Sequence, residues 1–188
     1  DTATGRVFEA GGWIHRRTGE YVQPLAPGWN RRRVIECDYL AACSLLVRVW
    51  AARSTGTMAD MFLNGDDVEW CVRLRRRTGG KVGAVPSSVV YHPHPDKMRT
   101  WTRYYAARNA FTVIDAAGLG RRTRLARGIL ETGRALSMAM TGRDDLADMH
   151  LRGLSDAVRR RTGRGADVTS QCDAWTPMPD LVGAVEAA

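Results

Sequence analysis

Asp66 and Asp67 are adjacent carboxylates that follow Gly65 and open a segment of helical periodicity. At a helix N-terminus the macrodipole favours negative charge, so the pair has two readings. One is simple capping, an ordinary task for aspartate. The other is reactive: a carboxylate at an exposed helix mouth can take the proton of a hydroxyl nucleophile or ligate a divalent cation, provided a pocket forms in front of it. Glu69 and Trp70 come directly afterwards. His92 lies 25 residues beyond Asp67, within His92-Pro93-His94-Pro95, and Tyr104, Arg108 and Asn109 follow on a second stretch of helical spacing. Read by itself, His92 is either a structural histidine or a metal ligand, since a neutral imidazole suits manganese beside carboxylates. The fork of Arg108 suits a diphosphate, the acidic pair or a structural ion pair equally well.

The elements that would carry these groups can be read from the pattern. Val68, Cys71, Val72 and Leu74 form an i, i+3, i+4 stripe with arginines mostly on the other face, predicting a helix over 68–77 that Gly79 and Gly80 terminate. Residues 81–91 read as two short extended pieces bent at Pro86, and 97–117 as the longest helix. Upstream, 6–14 reads as a strand with a bulge or close approach at Gly11 and Gly12, and 34–48 as the most apolar run, suited to a buried strand. Trp29 sits in a proline-containing loop, either as a packed anchor or as an aromatic ligand contact. Downstream, 121–141 and 144–161 read as amphipathic helices. Leu125, Ile129, Leu136 and Met140 mark the apolar face of the first, and Leu151, Leu154 and Val158 that of the second. The tail from Gly165 is acidic and expected to be loosely ordered.

With 188 residues, 44% of them hydrophobic, the chain has the size of one ordinary domain with a real core. No window approaches the roughly 18 to 20 apolar residues of a membrane span, and no secretory pattern is visible at the start. Cysteines at 37, 43, 71 and 172 show no metal-ligand spacing and read as reduced thiols of a cytosolic protein. The net charge of +8 is uneven: residues 121–164 hold eleven arginines against five carboxylates. That segment is either a solvated face or a surface for anionic phospholipid or a nucleotide's phosphates. No nucleic-acid recognition motif accompanies the charge, so no nucleic-acid partner is expected.

Taken in order, the acidic pair, the helix, the glycine stop, the extended segment, His92 and the Tyr104, Arg108, Asn109 helix resemble the acceptor-side half of inverting, family 2 glycosyltransferases of the GT-A fold, in particular galactofuranosyl- and rhamnosyltransferase-like members. The resemblance covers about 6–115, with 121–164 as a family-like helical extension. It implies an α/β fold: a partial GT-A domain over 1–118, a helical extension over 119–164 and a tail over 165–188. It also implies transfer of a sugar, with inversion, from a UDP- or dTDP-sugar to a glycan or polyprenyl-linked acceptor. Asp67 would be the base with Asp66 beside it, and His92 would complete the shell of a divalent manganese or magnesium ion. His94 would face donor phosphate or solvent, and Glu69, Trp70, Tyr104, Arg108 and Asn109 would contact donor or acceptor. Gly65 stands where those enzymes tend to carry tryptophan, which leaves the sugar open. No nucleotide-binding half ending in Asp-x-Asp precedes Arg6, so the isolated chain is expected to be inactive, and the expected location is the cytoplasm, at the inner face of the membrane. The rival reading is a non-catalytic basic helical adaptor, with Asp66 and Asp67 as caps, binding an acidic partner or membrane surface.

Overall fold

The computed structural model describes residue 7 and residues 9–23, 27–91, 100–165 and 168. The expectations at His92, His94 and Cys172, for 97–99, and for nearly all of the tail lie outside them. Among the described residues the chain is mixed α/β. In chain order it forms β1 (Trp13–Ile14), β2 (Tyr21–Val22), β3 (Ile35–Cys37), α1 (Val49–Thr55), α2 (Asp66–Thr78), β4 (Val82–Ala84), α3 (Thr100–Ala116), α4 (Arg121–Met140) and α5 (Asp144–Val158). Two small antiparallel sheets result, β1 with β2 and β3 with β4, the latter in the register Ile35 to Ala84 and Cys37 to Val82.

The two sheets are stitched together at Gly12 and Tyr39. The Tyr39 carbonyl accepts from the Gly12 amide at 3.1 Å, and the Gly12 carbonyl accepts from Asp38 at 2.8 Å. A side chain at Gly12 would collide with the Tyr39 ring, as its Cβ would lie 2.1 Å away. This is the close approach that the paired glycines announced, although the regular strand is limited to β1.

The buried strand expected over 34–48 stops at Cys37. The reason is where the following amides go. Ala41 and Ala42 donate to the carboxylates of Glu9 and Asp67 rather than to a neighbouring strand. The chain then makes a 3-10 turn at Ala42–Ser44, and Leu46 is fully exposed. Beyond β4, residues 85–91 likewise contain a turn in place of a second extended piece.

α2 begins and ends on left-handed glycines, Gly65 at φ 92° and Gly79 at φ 65°. Its apolar stripe packs where expected: Val68, Cys71 and Val72 join Ile14, Cys37, Tyr39, Met61, Val82 and Val113 in the main core. α3 is the central strut, with Tyr105, Ala107, Ala110, Val113 and Ile114 fully shielded from solvent. α5 crosses it so closely that a Cβ on Gly153 would fall 2.3 Å from the Tyr104 carbonyl oxygen.

The facing of α4 reverses the expectation for its apolar stripe. Leu125, Ile129, Leu136 and Met140 point outward, while Thr123, Arg127, Glu131, Ala135 and Met138 are buried. The inner face is organised by charge. Glu131 ion-pairs with Arg127 at 2.5 Å and Arg134 at 2.6 Å, and the His150 Nε2 of α5 lies 2.9 Å from its carboxylate. Burial opposes ionisation of Glu131, but the His150 hydrogen bond and the two arginines outweigh it and hold the carboxyl below its usual range. On α5 likewise, Leu151 and Val158 are exposed while Ala147, Met149, His150, Gly153 and Ala157 face inward.

Candidate functional site

The acidic pair sits at the mouth of α2, on a turn with an uncommon backbone. Phe62 and Asn64 both adopt left-handed conformations, at φ 63° and 68°, followed by Gly65 at φ 92°. A non-glycine residue pays roughly 1–2 kcal/mol for such a conformation, so the surroundings must impose it. Gly65 has a second constraint, since a Cβ there would approach the Tyr21 hydroxyl at 3.1 Å. A tryptophan at this position would meet both obstacles.

What holds the turn is the pair Arg108 and Asn109. The Asn109 amide reaches three carbonyl oxygens, Met61 at 3.1 Å, Leu63 at 2.6 Å and Asn64 at 2.9 Å. Arg108 donates to the Met61 carbonyl at 2.9 Å and to the Asn109 side-chain oxygen at 2.8 Å. Its guanidinium lies over the rings of Tyr104 and Tyr105, at 5.2 and 4.9 Å from their centroids. The Tyr104 hydroxyl in turn donates to Asp156 of α5 at 2.6 Å. All three residues are 2–3% exposed. Arg108 and Asn109 lie beneath the acidic turn and act on it through its backbone; among the described residues Arg108 makes no ion pair with Asp66 or Asp67.

Glu69 and Trp70 face α1. Glu69 ion-pairs with Arg73 at 2.7 Å, and Arg73 also donates to the carbonyls of Thr55 and Thr57. The Trp70 indole donates to the Gly56 carbonyl at 2.8 Å. Both side chains are under 8% exposed and serve the α1–α2 packing.

Asp67 has different company. One carboxylate oxygen accepts from the Ala42 amide at 3.1 Å and the other from Val68 at 2.8 Å. Glu9 takes the neighbouring Ala41 amide at 2.7 Å and a hydrogen bond from Gln23 at 3.1 Å. Two consecutive amides thus bring two carboxylates side by side. Burial raises the proton affinity of Asp67 and its two amide hydrogen bonds lower it; the charge on Asp66 raises it again, and the net shift is upward. Burial and the charge on Asp67 likewise push Glu9 up. Tyr21 and Tyr39 close one side of the cluster, their rings 5.9 Å apart edge to face. Burial, together with Glu9 and Asp67, pushes the Tyr39 phenol up to about 12, so it stays protonated and able to donate.

Chemically, the cluster is a half-buried carboxylate of enhanced basicity with a second carboxylate and two phenols beside it. Such a group can accept a proton from a bound hydroxyl. Glu9, Tyr21 and Tyr39 went unread in the sequence because nothing in their spacing ties them to Asp67; only the Gly12 to Tyr39 bridge and the turn at Ala41 and Ala42 bring them there. Among the described residues no three His, Cys, Asp or Glu side chains come together to hold a metal ion. A separate cavity of about 260 Å³, lined by Arg16, Asp38, Arg75, Arg76, Gly79 and Gly80, contains none of the expected site residues. There Asp38 is already taken up by Arg16, Arg75 and the Ile14 amide. Cys37 and Cys71 are buried, and burial pushes the Cys71 thiol up to about 11, too weak an acid to act as a nucleophile.

Comparison of the chain with protein-family models, with curated proteins and with solved structures found no match.

Proposed function

We propose that this chain is the acceptor-side half of an inverting family 2 glycosyltransferase of the GT-A fold, moving a sugar from a UDP- or dTDP-sugar to a glycan or polyprenyl-linked acceptor. The observation that carries the reading is the setting of Asp67. It combines an imposed left-handed turn, a helix mouth and a neighbouring carboxylate, and its proton affinity is raised. In this mechanism the acceptor hydroxyl lies against Asp67. Its oxygen bonds to the anomeric carbon as the bond from that carbon to the nucleoside diphosphate breaks, and its proton passes to the Asp67 carboxylate. Burial and the charge on Asp66 keep that carboxylate basic, and Arg108 and Asn109 keep its turn in place. The divalent cation belongs to the same proposal through His92.

The test is transfer from a UDP- or dTDP-sugar by this chain joined to a nucleotide-binding half ending in Asp-x-Asp. Asp67→Asn lowers turnover by roughly a hundredfold or more at unchanged fold; equal turnover ends the base assignment. The rival, a non-catalytic basic helical adaptor, draws support from the outward apolar stripe of α4. Titration of the chain with an acceptor oligosaccharide separates the two. The enzyme reading expects the Ala41, Ala42 and Val68 amide resonances to move, and the adaptor reading expects them to stay.

A further inference from the structure

α4 presents to solvent a face that its own packing cannot retract. Leu125, Ile129, Leu136 and Met140 are 61–78% exposed and lie along one side of a 20-residue helix, about 30 Å long. Turning this stripe inward would expel Arg127 and Glu131 from the buried network with His150, so the outward facing is imposed from the other side of the helix. Exposed apolar residues scattered singly need no explanation, but four aligned on one helix face, interrupted only by Thr132 and Gly133, do.

The charges around the stripe identify its occupant. The ion pairs of α4 are made by Arg124, Arg127 and Arg134. Exposed Arg121 and Arg122 stand at one end of the helix and Arg143 just past the other. The single carboxylate of α4, Glu131, is buried, so the outer face carries no negative charge. A second copy of the chain would bring arginines against arginines in a parallel pairing. An anionic surface complements the Arg121 and Arg122 end, whereas Arg143 at the other end is followed directly by the exposed Asp144 and Asp145. The exposed apolar residues of α5 do not share this property, because Asp144, Asp145 and Asp148 are exposed on that helix.

We infer that the outer face of α4 lies on an anionic phospholipid surface, its four apolar side chains entering the headgroup region and Arg121 and Arg122 meeting lipid phosphates. The inference stands independently of the glycosyltransferase reading. It is tested by co-sedimentation of the full chain with phosphatidylcholine vesicles, with and without phosphatidylglycerol. The expected result is retention by the anionic vesicles alone, weakened by salt. Leu136→Asp and the double variant Arg121→Glu, Arg122→Glu each reduce it at least tenfold while leaving the circular dichroism spectrum unchanged. Three results overturn the inference. One is no retention on anionic vesicles. Another is retention that neither variant weakens. The third is a dimer in vesicle-free buffer that Leu136→Asp converts to monomer, which would assign the face to a second copy.

Discussion

Asn109 secures three carbonyls of the turn that carries Asp66 and Asp67, and its removal leaves the part-buried Leu63 and Asn64 carbonyls without this donor, while Met61 keeps Arg108. Asn109→Ala is expected to cost about 2–4 kcal/mol in urea unfolding. Asn109→Asp should be no better, because it replaces the donor with an acceptor. Asp67 gives the opposite outcome. Its proton affinity in the folded chain is raised above the usual 3.8, so folding favours the protonated form, and the stability linked to it declines as pH rises through the folded-state value. Asp67→Asn should therefore stabilise the chain slightly near neutrality, since partial solvent contact screens the effect. The gain should vanish when unfolding is measured below the usual carboxylate range. The acidic pair was legible in the sequence because a glycine, two aspartates and a helical stripe are local signals. Glu9 was not, as its link to Asp67 passes through the amides of a turn that looked like a strand.

Between α3 and α5 the spacing is set by Gly153, where an added Cβ meets the backbone oxygen of Tyr104. Backbone cannot step aside as a flexible side chain can. Gly153→Ala should lower stability by at least about 2 kcal/mol, visible as a reduced melting temperature. The contact between α4 and α5 depends instead on Glu131. Glu131→Ala strands Arg127 in a buried site and is expected to cost about 3–5 kcal/mol. Because the Glu131 carboxyl is held below its usual 4.5, the stability it contributes is present above that value and is lost as pH falls through the lower folded-state value. The difference between wild type and Glu131→Gln in acid unfolding should shrink accordingly. Helices were readable over 68–77, 121–141 and 144–161, and the structure has them at 66–78, 121–140 and 144–158. Which face turns inward was not readable for α4, because periodicity reports a stripe and not the direction it faces.

The molecule as a whole has its two sheets and α2 around one core, which α3 joins through Val113, with α5 packed on α3 and α4 on α5. No described helix is long and apolar enough to cross a membrane. Solvent already surrounds the α4 stripe, so Leu125→Asp and Leu136→Asp should each change folding stability by no more than about 0.5 kcal/mol in chemical denaturation. A loss of several kcal/mol would show that the stripe is packed in solution.

Local chemistry along the chain determined the helices, their glycine ends, the acidic mouth of α2 and the uneven positive charge, because each depends on residues within a turn or two of one another. Tertiary structure decided the rest. It made Arg108 and Asn109 supports beneath the acidic turn, committed Glu69 and Trp70 to α1, brought Glu9 beside Asp67 and turned the α4 leucines outward. In each case a side chain competes for a buried partner far away in sequence, and the winner is the arrangement that leaves the fewest buried polar groups unsatisfied.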